Sequence, residues 1–182
     1  MAVTEATIVN SKNVFRKDGS RKFEARAELL STSTSIYANF NVVGGLVKIP
    51  LGKVQNGIIH GVRIACDKVN AFSAVLAYFF RGEVDEIADH AAYGFAADQY
   101  ENNKKLLGSV SVSLSNPGSS VIDIGSSTGI DLDFLADVDP DDTEANPELQ
   151  ERAIYCYLLA QSGGVAPAVG TKINLEVHYC GW

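Results

Sequence analysis

Residues 58–80 read IIHGVRIACDKVNAFSAVLAYFF. The first part, Ile58–Asp67, puts Val62, Ile64 and Cys66 on one side of an extended chain and Arg63 on the other, the period of a strand with one dry face. The second part, Ala71–Phe80, carries apolar residues on both faces. A strand on a half-wetted sheet has one polar face, so this one needs cover on both sides. One cover is the core of its own domain, and the expected second cover is another protein chain.

Working outward, the rest of the chain also reads as strands. Phe23–Leu29 and the TIVN segment at 7–10 are candidate strands joined by a Lys-Asp-Gly-Ser turn at 17–20. Ile36–Val42 and LVKIP at 46–50 read as a hairpin turning at Gly44-Gly45, with Pro50 ending the second strand or marking an edge. Residues 81–104 hold the helical interruption, with Ala91–Tyr100 as a short helix or structured loop. Lys105–Leu114 alternates Val110, Val112 and Leu114 against Ser109, Ser111 and Ser113, a half-exposed strand. Val121–Ile124 and Ile130–Leu135 read as two short strands around GSSTG at 125–129. Ala153–Gln161 is apolar on both faces, and Lys172–Cys180 alternates Ile173, Leu175, Val177 and Tyr179 against Asn174, Glu176 and His178. A single sheet cannot cover so many apolar faces. The expected fold is all-β: an antiparallel two-sheet β-sandwich of jelly-roll type, with at most one or two short helices. Residues 1–34 are read as an N-terminal arm or peripheral strands and 35–182 as the sandwich domain.

Composition narrows the function classes. The chain has 182 residues and a net charge of −7, enough length for one well-buried domain. The acid in MAVTEATIVNSK and the lack of a following apolar run argue against a secretory leader, and no apolar stretch approaches a membrane span. Cys66, Cys156 and Cys180 lack CxxC spacing and read as reduced, buried thiols. Charge is unevenly spread: Lys12, Arg16, Lys17, Arg21, Lys22 and Arg26 cluster near the start, and nine acids fall between Asp131 and Glu151. The basic stretch is broken by Asp18 and Glu24 in an acidic protein, which disfavours a direct nucleic-acid contact and leaves docking on an acidic capsid surface or a solvated face.

Candidate chemistry is sparse. Asp137, Asp139, Asp141, Thr143 and Glu148 approach the oxygen-ligand spacing of a calcium loop. Asp142 stands where that loop needs Gly, so a solvated acidic loop is the expectation and calcium the alternative. No G-x-S-x-G nucleophile elbow is expected among the serines, and no motif places His60, His90 or His178 beside a nucleophile. No Walker loop or dinucleotide fingerprint is present, so neither an enzyme nor a cofactor is expected. Tyr78, Phe79, Phe80, Tyr155, Tyr157 and Trp182 could line a sugar-binding face, but core and subunit contacts account for them better.

From about Gly57 onward the order and spacing of segments resembles tailed-bacteriophage capsid decoration (cement) proteins. The matching segments are GIIHGVRIACD (57–67), AVLAYFF (74–80), IADHAAYGFAADQ (87–99), LLGSVSV (106–112), AIYCYLLAQ (153–161), SGGVAPAVG (162–170) and TKINLEVHYCG (171–181). The resemblance implies a jelly roll that is made in the host cytoplasm, forms homotrimers on the outside of the head and fastens subunits of the major capsid protein together. The N-terminal segment and the acidic insertion at 137–151 depart from the pattern. On this reading Val75, Ala77, Phe79, Tyr155 and Tyr157 serve self-association, and Arg16, Lys17, Arg21 and Lys22 dock on the capsid. The alternatives are a receptor- or carbohydrate-binding sandwich of a tail or fibre, or a jelly-roll capsid subunit.

Overall fold

The structure is a computed structural model that describes residues 3–8, 21–32, 34–95, 99–118, 122–161 and 165–182. Its elements are β1 (Thr4–Glu5), β2 (Thr7–Ile8), β3 (Arg21–Leu30), β4 (Val42–Gly52), β5 (Asn56–Cys66), β6 (Ala74–Phe80), α1 (Gln99–Asn103), β7 (Leu106–Ser113), β8 (Asp123–Leu135), β9 (Arg152–Gln161) and β10 (Lys172–Gly181). They form two sheets, β1-β4-β9-β6-β7 and β2-β3-β10-β5-β8. All pairings are antiparallel except the short parallel contact of β1 with β4.

The strand order follows from one long ribbon. β3 pairs with β10, β4 with β9, β5 with β8 and β6 with β7. Each half of the chain thus runs antiparallel to the other, outermost strand to outermost strand. The ribbon wraps on itself and is sealed where β10 meets β5 and β9 meets β6. This is the jelly roll of two Greek keys, as expected. β5 and β6, consecutive in sequence, lie in different sheets. The apolar set of 58–66 therefore faces that of 74–80 across the core instead of lying beside it.

Some local expectations are corrected. Residues 42–52 are one strand, not the second half of a hairpin, because Gly44 and Gly45 loop out between the pairs Val43↔Leu158 and Leu46↔Tyr157. Their φ values of 74° and 91° suit glycine, and a Cβ on Gly44 would sit 2.6 Å from that of Leu29. Such a bulge absorbs extra residues without ending the strand. GSSTG likewise lies inside the single strand β8 instead of separating two. Among the described residues the helix is α1, Gln99–Asn103, and residues 91–95 follow the structured-loop alternative. Within residues 1–34, read as an arm or peripheral strands, β1 and β2 lie at sheet edges and β3 pairs with β10 along Arg21–Leu30. TIVN keeps only Thr7–Ile8 as described strand, and the turn at 17–20 lies outside the described residues.

The main core lies between the sheets, with Val75, Ala77 and Phe79 of β6, Ile154, Cys156 and Leu158 of β9, and Ile59, Val62 and Ile64 of β5. A second apolar layer covers the opposite face of β4, β6 and β9. There Val84, Ile87 and Phe95 pack on Val42, Leu46, Phe80, Tyr155, Tyr157 and Leu159. The chain thus supplies its own second cover through residues 81–95. Backbone bonds hold that segment down, His90 N to Val42 O at 2.8 Å and Val42 N to Ala91 O at 2.8 Å. The Tyr157 hydroxyl accepts from Ile87 N at 2.8 Å and donates to Asp85 O at 2.7 Å.

His90 stacks on Tyr37 with ring centroids 3.5 Å apart. Burial depresses its pKa below the ordinary 6.5, with the neighbouring Asp89 opposing this in part. A base whose folded pKa is depressed binds its proton first in the unfolded chain, so its contribution to stability is lost as pH falls below about 6.5. Replacing it by Asn, which tolerates the left-handed φ of 64°, is expected to flatten the fall of Tm between neutral pH and about pH 5 by a few degrees. Thermal melts of both proteins across that range check this.

Candidate functional site

Side chains singled out from the sequence land in three places. Val75, Ala77 and Phe79 point into the core between the sheets, and Tyr155 and Tyr157 lie on the opposite face under residues 81–95; all five are essentially inaccessible. As self-association residues they are corrected: the second face that seemed to need another chain is covered intramolecularly. Phe80 is buried with them, and among the aromatic residues considered for a sugar face Trp182 is the one left well exposed, at 59%.

The basic residues are only partly described. Arg16 and Lys17 lie outside the described residues. Arg21 is placed as a strand residue opposite Gly181, with its side chain outside the described set, and Lys22 is exposed opposite Cys180. Farther along the same outer face, charges pair across strands. Arg26 of β3 and Arg63 of β5 both reach Glu176 of β10, at 3.3 and 3.1 Å, and Lys172 reaches Glu28 at 3.1 Å.

The acidic loop has a different tenant from calcium. Lys48, on the outward face of β4, extends its Nζ to Asp139 at 2.8 Å and Asp141 at 2.6 Å. Asp137 points instead toward Arg81, and Glu148 is exposed farther along the loop. Among the described residues no three His, Cys, Asp or Glu side chains converge in a way that could hold a metal ion. The calcium alternative is corrected on this geometry, because an ammonium occupies the place between the carboxylates. Burial opposes charge on Lys48, but its hydrogen bonds to Asp139 and Asp141 outweigh this and hold its pKa above the usual lysine value. Substituting Met for Lys48 leaves the buried Asp139 without its cation. The expected cost is about 2 kcal/mol, read from urea unfolding and partly recovered by adding Asp139→Asn.

GSSTG at 125–129 has the G-x-S-x-G spacing of a nucleophile elbow, which would place Ser127 at a strand-to-helix turn. This corrects the expectation that the spacing is absent, but the structure makes no elbow of it. The segment is mid-strand, and Ser127 pairs with Val62, a core residue, so it shares the inward side of the sheet.

What the sequence does not disclose is a cavity of about 560 Å³ on the outer face of the β2-β3-β10-β5-β8 sheet. It is made by irregular pairing at one level. Between Ile59↔Leu132 and Gly61↔Thr128, β5 has the single residue His60 where β8 has Gly129, Ile130 and Asp131. Against β10 the register also shifts here, with Ile59 opposite Tyr179 and Gly61 opposite His178. Bulges on neighbouring strands re-aim side chains and hollow the sheet. Gly129, at φ 71°, permits the β8 excursion. Strand β5 supplies Ile58 and His60, β8 supplies Thr128, Ile130 and Asp131, and β10 supplies His178 and Cys180. Trp182 stands at the rim, its backbone N–H donating to Asn56 O at 3.1 Å. The imidazoles of His60 and His178 lie 6.4 Å apart, tilted by 36°. Sequence periodicity places His178 on an outward face, but the conjunction with His60 and Asp131 arises only from the two bulges. The three cysteines are free and buried, and burial pushes the Cys66 thiol up to about 11.

Scanned against protein-family models, the chain gives no match, and no curated protein matches it significantly.

Proposed function

We propose that this chain is a structural protein of a bacteriophage virion that decorates the capsid exterior and cements neighbouring capsid subunits. The observation that carries this reading is the strand order, β3-β10-β5-β8 against β4-β9-β6-β7 within the two sheets. That is the jelly-roll order of virus coat domains, also used by lectins. Fold by itself leaves function open. Among these possibilities, the segment order resembling decoration proteins from Gly57 onward supports the virion.

The mechanism is associative. Copies group in a closed cyclic arrangement, a trimer, and bridge adjacent subunits of the major capsid protein, so that many modest contacts resist outward pressure. Because both faces of the β4-β9-β6 layer are covered within one chain, protomer contacts are assigned to a loop end of the sandwich. There Ser31 N donates to Thr171 O at 3.0 Å and Gly170 N donates to Ser31 O at 2.8 Å, joining the β3–β4 and β9–β10 connections. Leu30, Ile36 and Val169 remain 49%, 54% and 65% exposed in these same stretches. Capsid docking is assigned to Arg16, Lys17, Arg21 and Lys22.

Light scattering of the purified protein, alone and with emptied heads of the phage encoding it, tests the reading. A stable trimer that adds to heads at fixed stoichiometry is the expected result, and a monomer that ignores heads refutes it. Ile36→Asp with Val169→Asp is expected to give monomers. Reversing charge at Arg16, Lys17 and Lys22 is expected to weaken head binding without changing the oligomer. Charge reversal is preferred to deleting residues 1–30, which would remove β3 from the sheet.

A further inference from the structure

The outer face of the β2-β3-β10-β5-β8 sheet is charged along much of its length, and there its charges are answered within the chain. Arg26 and Arg63 meet Glu176, Arg26 also meets Glu24 at 2.6 Å, and Lys172 meets Glu28. His178 lies 4.0 Å from Glu176. The end of the face that carries Trp182 differs. Register places Lys22 of β3 opposite Cys180 of β10, Cys180 opposite Ile58 of β5, and Ile58 opposite Asp133 of β8. These four side chains share the outer face, because the residues following or preceding them, Phe23, Tyr179, Ile59 and Phe134, pack on the core. Lys22 and Asp133 stand exposed at the two ends of the row, and Asp131 is exposed beside them. Among the described residues none of these three charges enters an ion pair. One level farther on, Trp182 and Leu135 flank Asn56 and remain 59% and 51% exposed. The cavity opens next to them, walled by Ile58 and Ile130.

Two properties select the occupant. An exposed tryptophan and leucine beside a hollow have the make-up of a protein contact, where aromatic anchors set against pockets carry most of the binding energy. The charges of this end also have opposite signs on opposite edges of the sheet, Lys22 on β3 against Asp131 and Asp133 on β8. A two-fold axis lying in the contact plane, parallel to the strands, lays β3 of each copy over β8 of the other at the same level. Lys22 then meets Asp133 of the partner subunit, and the contact occurs twice in each pair. The same operation lays β10, with Trp182, over the partner's β5 at the mouth of its cavity. The face is therefore complementary to itself in both charge and shape.

We propose that this end of the sheet is a contact surface for a second copy of the chain, packed face to face about a two-fold axis, with Lys22 of each copy on Asp133 of the partner subunit and the two Trp182 rings over the two cavities. The surface is separate from the loop end to which trimer contacts are assigned, and it does not depend on that reading. Strands about 4.8 Å apart and a rise of about 3.3 Å per residue make the patch, from β3 to β8 and from Trp182 to Glu176, about 20 Å on each side. A pair of copies thus buries about 800 Å² in total, the size of a weak contact. Such a contact gains strength between copies already held close together.

The test uses the full chain carrying Ile36→Asp and Val169→Asp, which removes the loop-end contact, in low-salt buffer. Failure of the trimer reading therefore leaves this test intact. Sedimentation equilibrium is expected to show monomer at about 10 μM and a reversible dimer by about 1 mM. Trp182 is the single tryptophan of the chain, and its emission should shift to the blue over the same range. Lys22→Asp alone and Asp133→Lys alone, each checked for an unchanged melting curve, are expected to weaken dimerisation about tenfold, and Trp182→Ala at least as much. Placing Lys22→Asp and Asp133→Lys in one chain, or mixing the two single variants, is expected to restore it, because each new charge again meets its opposite across the axis. The proposal is overturned if the protein stays monomeric to about 1 mM. It is equally overturned if the dimer keeps its strength in all three single variants, or if the swapped charges fail to restore it.

Discussion

Replacing Asp89 by Ala is expected to cost about 4 kcal/mol and to lower Tm by roughly 10 °C. The Asp89 carboxyl group is fully buried. One oxygen accepts from Thr32 N at 2.7 Å and Thr32 Oγ1 at 2.9 Å. The other accepts from the Tyr37 hydroxyl at 2.8 Å and Gly44 N at 2.7 Å. One side chain of the 81–95 segment thus satisfies donors from the end of β3, the β3–β4 connection and the β4 bulge. Alanine leaves two backbone N–H groups and two hydroxyls without that acceptor, and a buried donor left alone costs about 1–3 kcal/mol. Asp89→Asn is not expected to rescue fully. Its amide keeps one acceptor oxygen but turns an NH₂ toward donors, so about half the loss remains. Urea unfolding measures both variants. Hydrogen exchange should show the amides of Val42, His90 and Tyr93 opening with Asp89→Ala before the central strands do. A loss below about 1 kcal/mol would remove Asp89 from its role as anchor.

Phe79→Ala is expected to cost about 4 kcal/mol as well, by a different route. Phe79 is wholly inaccessible, set in β6 opposite Cys156 of β9. Truncation removes its transfer free energy and leaves a void that two sheets tied to each other cannot close. The concentration dependence of the melt separates this from the association role expected from the sequence. An interior residue lowers Tm equally at micromolar and submillimolar protein. A residue at a subunit interface makes the deficit depend on concentration, because dissociation is then linked to unfolding. Equal deficits at both concentrations are the expected outcome, and the same pair of melts on Tyr157→Phe should behave alike.

These expectations show how much of the molecule is legible before folding. Strand character is local, carried by period-two alternation and β-branched content. Hence β5, β7, β9 and β10 stand close to their expected bounds, and the two-sheet class follows from the quantity of apolar face to be covered. Bulges are not local in this sense. Gly44-Gly45 and Gly125–Gly129 have turn chemistry, and only the register of the partner strands decides that the chain continues straight through them.

The doubly apolar strands were correctly marked by sequence as covered on both sides, because alternation reports burial. It cannot name the cover, since a distant segment and a second molecule desolvate a face equally well. The cover proved to be residues 81–95, pinned by Asp89, whose donors lie as far as 57 positions away in the chain. The acidic spacing at 137–148 was likewise visible, but Lys48 reaches it from 93 positions away and turns a cation loop into an ion pair. The cavity is the extreme case. Its residues come from three strands and a rim, and two coincident irregularities in hydrogen-bond register bring them together. Sequence alone determined which residues are strand and which faces are dry, because those depend on neighbours along the chain. The tertiary structure alone decided what meets each face, because that depends on strand pairing across the whole ribbon.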